Sequence, residues 1–201
     1  HATGIGYSIK QQKKNEAVFT FIGDGGTSEG DFSESLNFAG VWQVPVVFTI
    51  QNNQYAISVP VQSQTKSINL AVKSVAFGIP GIKVDGNDFF AMYLAYKTAS
   101  EYALAGKGPV LIEAFTYRLG AHTTSDDPTK YRKKEEEQEW ALVDPLLRLE
   151  KYMKSKNIWN LDIEALRQEY KKDIDAQFVD AEKNKLYPID DIFNYMYSDK
   201  P

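Results

Sequence analysis

The chain has 201 residues, 43% of them hydrophobic, a formal net charge of −4 and no cysteine. That length and apolar content suit one substantial domain, or one with an appendage, around a real core. The acidic balance gives no footprint for nucleic acid, the lack of cysteine excludes disulfides, zinc–thiolate sites and a cysteine nucleophile, and no apolar run approaches the ~18 residues of a membrane span.

His1-Ala2-Thr3-Gly4 lacks an initiating methionine and reads at once as helix, so a fragment or a processed chain is expected; no signal peptide is recognisable. Residues 2–13 read as a small-residue helix. Val18-Phe19-Thr20-Phe21-Ile22 has the mostly apolar character of a strand buried on both faces. Ser28-Glu29-Gly30-Asp31 offers a cap and an acidic first turn, and Phe32, Leu36 and Ala39 then share one helical face. Pro45 opens a second buried strand that runs through Val46-Val47-Phe48-Thr49-Ile50. A short helix over 67–77 and a short strand over Gly81-Ile82-Lys83-Val84 come next, the strand closed by Asp85-Gly86. Asn87 or Asp88 caps a helix carrying Phe89, Met92, Tyr93 and Tyr96, which Gly106-Lys107-Gly108-Pro109 stops. Val110 to Thr116 is a third long strand.

Strands alternating with helices predict an α/β fold with a mostly parallel sheet flanked by helices. Residues 118–132 lack periodicity and read as a loop. From 133 the chain is charged and helical, with Asp144-Pro145 as cap and first position. Apolar stripes follow at Leu146, Leu149 and Met153, and at Ile163, Leu166, Tyr170, Ile174 and Phe178; such stripes ordinarily build core. The expected organisation is an α/β core over 1–132, including the loop 118–132, with 133–201 as a helical C-terminal extension of the same domain.

Ligands of open α/β sheets bind beyond the carboxyl ends of the strands. Gly23-Asp24-Gly25-Gly26 and Asn52-Asn53 both fall there, with residues 26–51 between Gly25 and Asn52. Each motif alone is an ordinary turn signal; their pairing at the ends of two buried strands is the informative feature. A carboxylate with amide and backbone oxygens suits a hard cation such as Mg²⁺, and such an ion takes phosphate oxygens among its ligands. Gly25 and Gly26 permit close backbone approach to those phosphates, and the helix beginning near Ser28 adds amide donors and a favourable dipole.

Elsewhere the plainer readings lead. Glu113, inside a strand run, is either a buried acid or, more simply, an edge or salt-bridged residue. Asp126 and Asp127 order the loop by pairing with Arg132, or are solvated. Lys130 to Glu139 reads as a solvated helix face. Gly4-Ile5-Gly6 is too short for a dinucleotide fingerprint, and no GxxxxGK[ST] occurs. His122 is the one histidine besides His1; a lone histidine is ordinarily structural or solvated, yet this one shares a loop with Arg118 and Asp126.

Three segments carry a resemblance to a known family. Gly23-Asp24-Gly25-Gly26-Thr27-Ser28-Glu29-Gly30, then Gln51-Asn52-Asn53-Gln54-Tyr55-Ala56-Ile57-Ser58, then Tyr117-Arg118-Leu119-Gly120-Ala121-His122-Thr123-Thr124-Ser125-Asp126-Asp127-Pro128 with Tyr131-Arg132, resemble the α subunit of the thiamine-diphosphate-dependent first enzyme of 2-oxo-acid dehydrogenase complexes. The similarity runs over nearly the whole chain, more loosely in the C-terminal helices. It implies a thiamine-diphosphate-binding fold. It also implies Mg²⁺ held by the side chains of Asp24 and Asn53 and the carbonyl of Tyr55, and diphosphate held at Gly23 to Gly26 through the amides of Gly25 and Gly26.

By the same resemblance Arg118 and His122 reach the cofactor from the loop, with His122 the catalytic residue. Thr123 stands where mitochondrial relatives carry a regulatory phosphorylated serine. The activity implied is oxidative decarboxylation of a 2-oxo acid and reductive acylation of a lipoyl group on the acyltransferase core. The glutamate that activates the aminopyrimidine comes from a β subunit in this family, so an α2β2 heterotetramer is implied, inactive as α alone. The family's α subunit also has an N-terminal part that contributes to the site and is not in this sequence. Ser125 to Arg132 resembles bacterial pyruvate-specific members most. A branched-chain 2-oxo-acid enzyme, a non-catalytic assembly module of the same fold and a nucleotide-binding α/β domain are the alternatives. A cytoplasmic protein with no nucleic-acid or membrane partner is expected.

Overall fold

The computed structural model describes residues 1–184, 186–194 and 198. The chain divides into two compact units, His1–Asn157 and Ile158–Pro201. The first is built on a parallel sheet of four strands, β1 (Val18–Gly23), β2 (Val46–Asn52), β5 (Gly81–Asp85) and β6 (Val110–Phe115), in the order β1-β2-β6-β5. A two-stranded hairpin, β3 (Tyr55–Ala56) and β4 (Val59–Pro60), follows β2 and leads into a single helical turn, α3 (Val61–Gln64).

The period-two alternation of the central strands supplies two apolar layers. On one face Val46, Phe48 and Ile50 of β2 and Leu111 of β6 pack with Phe32, Leu36 and Ala39 of helix α2 (Gly30–Trp42). On the other, Val47, Val110 and Ile112 meet Ala95, Ala99 and Ala103 of helix α4 (Phe89–Leu104). Helix α1 (Ala2–Gln11) lies on the α2 side, where Gly6 has no room for a side chain: a Cβ there would sit 2.6 Å from Val46. The α/β class, the three long strands and the parallel sheet are thus as expected.

Local details depart from the sequence reading. Strand β1 is not buried on both faces; Phe19 and Phe21 are 42% and 55% exposed. The cause is position: β1 is the sheet edge, and the outward rings meet Tyr96 edge to face, at 5.9 and 6.5 Å between centroids. Ser28 is not the cap of α2. Residues Gly25–Ser28 form a 3-10 turn first, and Glu29, extended and without a side-chain cap bond, precedes the helix. Residues 67–77 give a 3-10 helix over Ala71–Phe77 only. Asp88 is the cap of α4, accepting from the amides of Phe90 and Ala91, whereas Asn87 is buried and accepts from the Thr116 hydroxyl at 2.6 Å.

Two more helices belong to the first unit, α5 (Lys134–Ala141) and α6 (Pro145–Ser155). Asp144 caps α6 as its sequence suggests, and Arg148 of α6 bonds Asp85 at 2.7 Å and Asp88 at 2.9 Å. Leu146 is exposed rather than core. The second unit contains α7 (Ile163–Glu182), capped by Asp162, and the turn α8 (Asp191–Asn194). Its stripe of Tyr170, Ile174 and Phe178 is exposed, so the helical spacing there does not mark core. No helix among the described residues is long and apolar enough to cross a membrane.

Candidate active site

Strands β1 and β2 are paired in parallel with Gly23 beside Gln51, so the chain leaves both at the same end of the sheet. Asp24 comes immediately after β1. Its backbone is helical and its residue is only 2% exposed, yet the carboxylate does not cap the 3-10 turn that it starts. One oxygen accepts from the Gln64 side-chain amide at 3.1 Å. Among the described residues the carboxylate has no other partner, so a buried anion with spare acceptor capacity sits at the strand end.

The turn itself is closed by the Thr27 amide and hydroxyl, both donating to the Asp24 carbonyl at 3.1 and 2.7 Å, and by the Glu29 amide on the Gly26 carbonyl. That pattern leaves the amides of Gly25 and Gly26 without a backbone acceptor among the described residues. Both glycines are required by packing. A Cβ on Gly25 would lie 2.6 Å from the Ala56 Cβ, and one on Gly26 2.6 Å from Ile22. Gly23 has open space around its own position.

The hairpin after β2 brings the second half. Asn53 is half-buried, and its side-chain oxygen accepts from the Tyr55 amide at 3.2 Å in a local turn. Gln54 takes a left-handed conformation (φ 74°) that strains a non-glycine residue, and its side chain donates to the Thr116 carbonyl at 3.0 Å. Asn52 is buried and fully engaged: its oxygen accepts from the Gln54 amide at 3.1 Å and its nitrogen donates to Glu113 at 2.7 Å. Asp24, Gly25, Ala56 and Gln64 are therefore brought together, and Asn53 and Tyr55 flank them on the hairpin.

Asp24, Asn53 and the Tyr55 carbonyl each offer a hard oxygen donor of the kind that Mg²⁺ takes. No group of three His, Cys, Asp or Glu side chains among the described residues is placed to hold a metal, so such a site depends on amide and carbonyl oxygens and on ligands from the bound molecule. The spare acceptor of buried Asp24 and the unpaired amides of Gly25 and Gly26 match a cation together with diphosphate.

The loop 118–132 approaches the same hairpin. Arg118 donates to the Tyr55 carbonyl at 3.0 Å, the Ile57 carbonyl at 2.6 Å, the Tyr131 hydroxyl at 3.2 Å and the Gly120 carbonyl at 3.3 Å. Arg132, buried, donates to the carbonyls of Arg118, Leu119 and Gly120. Asp126 does not pair with Arg132. It accepts from the Tyr131 hydroxyl at 2.6 Å and the His122 amide at 2.8 Å, and these two bonds hold its carboxyl below the usual aspartate range. Arg132 spends itself on carbonyls instead, because the loop's backbone turns inward over it. His122 and Thr123 are exposed, and the imidazole has no hydrogen-bond partner among the described residues.

An aromatic box lies beneath the loop. Tyr117 stacks on Trp140 of α5 (5.4 Å, 6°) and meets Tyr55 edge-on, while Tyr55 donates its hydroxyl to Glu136 at 3.1 Å. Burial, with Glu136 nearby, raises the Tyr55 hydroxyl and pushes Tyr117 up to about 12, so both rings stay neutral at physiological pH.

Sequence reasoning missed two participants, Gln64 and Lys73, and favoured the wrong alternative for a third, Glu113. Gln64 sits on a helical turn with no motif. Lys73 reaches the carbonyl and hydroxyl of Thr27 at 2.8 and 2.9 Å, and burial lowers its pKa. Glu113 is neither at an edge nor in a salt bridge. It lies in a central strand, fully buried, and accepts from Asn52 and from the amides of Leu70 and Ala71. Its placement in the apolar run Val110-Leu111-Ile112-Glu113-Ala114-Phe115 was the available signal.

The model for the dehydrogenase E1 component family matches residues 1–190. The chain is 45% identical to the pyruvate dehydrogenase E1 component subunit alpha of Staphylococcus aureus over 202 aligned positions, which cover 100% of this chain and 55% of the relative. To the protein of the same name from Staphylococcus epidermidis it is 44% identical over 200 positions, 98% of this chain and 54% of the relative. The chain thus spans about half the length of the curated relatives it matches. With the family model covering nearly the whole chain, and the strand-end carboxylate, glycine turn and hairpin in place, the chain belongs to the dehydrogenase E1 component family.

Proposed function

We propose that this chain holds the Mg²⁺–diphosphate end of thiamine diphosphate in a pyruvate dehydrogenase, as part of an α subunit that works only with a β subunit in an α2β2 heterotetramer. The observation that carries the reading is Asp24: a buried carboxylate with spare acceptor capacity, beside two glycine amides without backbone acceptors. Asp24 and Asn53 bind the metal through their side chains and Tyr55 through its carbonyl. That carbonyl has two lone pairs and gives one to Arg118, so the second would serve the metal. Gly25 and Gly26 donate to the diphosphate, with Gly23 giving the chain open approach.

Bound thiamine diphosphate supplies the electron sink that decarboxylation of a 2-oxo acid requires. His122, exposed on a loop pinned by Arg118, Arg132 and Asp126, holds or moves a proton at its imidazole during transfer to the lipoyl group of the acyltransferase core. Arg118 orients the loop toward the cofactor. The β subunit supplies the group that activates the aminopyrimidine. The names of the bacterial relatives support pyruvate as substrate.

Calorimetric titration of the complete α chain, reconstituted with its β subunit, against thiamine diphosphate and Mg²⁺ tests the reading. Tight Mg²⁺-dependent binding that Asp24→Ala removes is expected. Absence of binding would leave only an assembly role. Product formation from pyruvate against 3-methyl-2-oxobutanoate in the same complex decides the substrate class, with pyruvate expected to be preferred.

A further inference from the structure

We infer that Glu113 is the positioning residue for both halves of the metal–diphosphate site, an inference that rests on the cofactor reading above. Glu113 is 0% exposed, and both of its carboxyl oxygens act as acceptors. One oxygen takes the Asn52 side-chain nitrogen at 2.7 Å. The other takes the amides of Leu70 and Ala71 at 2.8 and 2.9 Å, which launch the 3-10 helix Ala71–Phe77.

Each arm ends at the site. Along the first, Asn52 accepts from the Gln54 amide and so fixes the turn that presents Asn53 and the Tyr55 carbonyl. Along the second, the 3-10 helix carries Lys73, whose ammonium donates to the carbonyl and hydroxyl of Thr27. That hydroxyl in turn donates to the Asp24 carbonyl at 2.7 Å. One buried carboxyl thus connects the hairpin that offers Asn53 with the glycine turn that offers Asp24, through side chains that do not themselves face the ligand. Three donors converge on two oxygens, so an acid is required here: a carboxamide must turn its nitrogen either on Asn52 or on the two backbone amides.

That demand makes the test specific. Glu113→Gln in the holoenzyme complex is expected to weaken Mg²⁺ binding in the presence of thiamine diphosphate by about 10- to 100-fold, the range for groups that orient a ligand rather than touch the metal. Binding is read by titration with Mg²⁺, and by the electron paramagnetic resonance of Mn²⁺ in its place. Asn52→Asp combined with Glu113→Gln restores every donor–acceptor match, with the amide now donating to residue 52. Recovery to within a few-fold of wild type is expected of that pair.

A Glu113 that merely stabilised the fold would lower the melting temperature of Glu113→Gln and leave the Mg²⁺ affinity of the folded complex unchanged, and that result overturns the inference. Should Glu113→Gln fail to fold, Lys73→Met reads the same network from its far end. A roughly tenfold loss of Mg²⁺ affinity is expected, and wild-type affinity would be decisive against the proposal. A wild-type complex that bound no Mg²⁺–thiamine diphosphate would instead remove the cofactor reading, and this inference with it.

Discussion

The two regions that meet at Tyr55 are built on opposite principles. The strand-end floor, from Asp24 to Thr27 and Asn52 to Tyr55, hangs from buried groups: Asp24, Thr27, Asn52 and Tyr55 are all buried, and Asn52 is bonded into the sheet through Glu113. The loop 118–132 is largely exposed and has no regular structure beyond one 3-10 turn at Pro128–Lys130. Its order comes from Arg132 and Asp126, which satisfy its own backbone, and from Arg118, which ties it to the carbonyls of Tyr55 and Ile57. A metal and diphosphate need oxygens and amides fixed to within tenths of an ångström, and a packed sheet end provides this. A group that must meet substrate and then a lipoyl arm has to be reachable, and an exposed loop with a few strong fasteners provides that.

The contrast can be broken by experiment. The largest effect is expected from Asp24→Ala in the reconstituted complex, a loss of more than ~100-fold in Mg²⁺-dependent cofactor affinity, since it removes a ligand rather than a supporter of one. His122→Ala comes next: it should leave cofactor binding intact and slow single-turnover decarboxylation or lipoyl acetylation by about 100-fold. Unchanged rates of both would take His122 out of the mechanism. If both variants instead lost cofactor binding, the division between floor and loop would fail.

Arg132→Ala should destabilise the protein by about 2–3 kcal/mol in denaturant titration, because its charged donors satisfy three inward carbonyls. Faster proteolysis of the loop should accompany that loss. The smallest effect is acid-dependent. The carboxyl of Asp126 is held below its ordinary value by the Tyr131 hydroxyl and the His122 amide. A depressed carboxyl contributes order above its unfolded pKa and loses it as pH falls through the folded one. Hydrogen exchange of the His122 amide should therefore stay slow from neutrality down through the usual aspartate range and speed up only below it. In Asp126→Asn the exchange should be faster at neutral pH and lack that acid step.

Much of this was legible in the chain, for identifiable reasons. Val46 to Ile50 and Val110 to Ile112 are continuous apolar runs because both faces of β2 and β6 are covered, and such runs announce central parallel strands. Val18 to Ile22 looks the same in sequence but lies at the sheet edge, and composition does not distinguish an edge that is itself apolar. The α7 stripe failed similarly: spacing fixes which residues share a helix face, and says nothing of what covers that face.

In the candidate site, the strand-end positions of Asp24 and Asn53 were legible because each directly follows an apolar run. Lys73 was not legible, and for Glu113 only the buried acid was, as one of two alternatives, since the partners of each lie more than 40 positions away. The hairpin β3–β4 escaped because its turn, at Ile57-Ser58, uses Ile57 in a left-handed conformation in place of glycine or asparagine, and Gln54 just before β3 takes another.

One bond carries a consequence for timing. Arg118 belongs to the loop, yet its guanidinium rests on the Tyr55 carbonyl, part of the floor. Whatever moves the loop therefore acts on that carbonyl, and a metal using the same oxygen would share it with a guanidinium. Under the cofactor reading proposed above, loading of the cofactor and placement of the loop would be linked, each shifting the other by the same free energy. The order of the two events would then be set at a single oxygen atom.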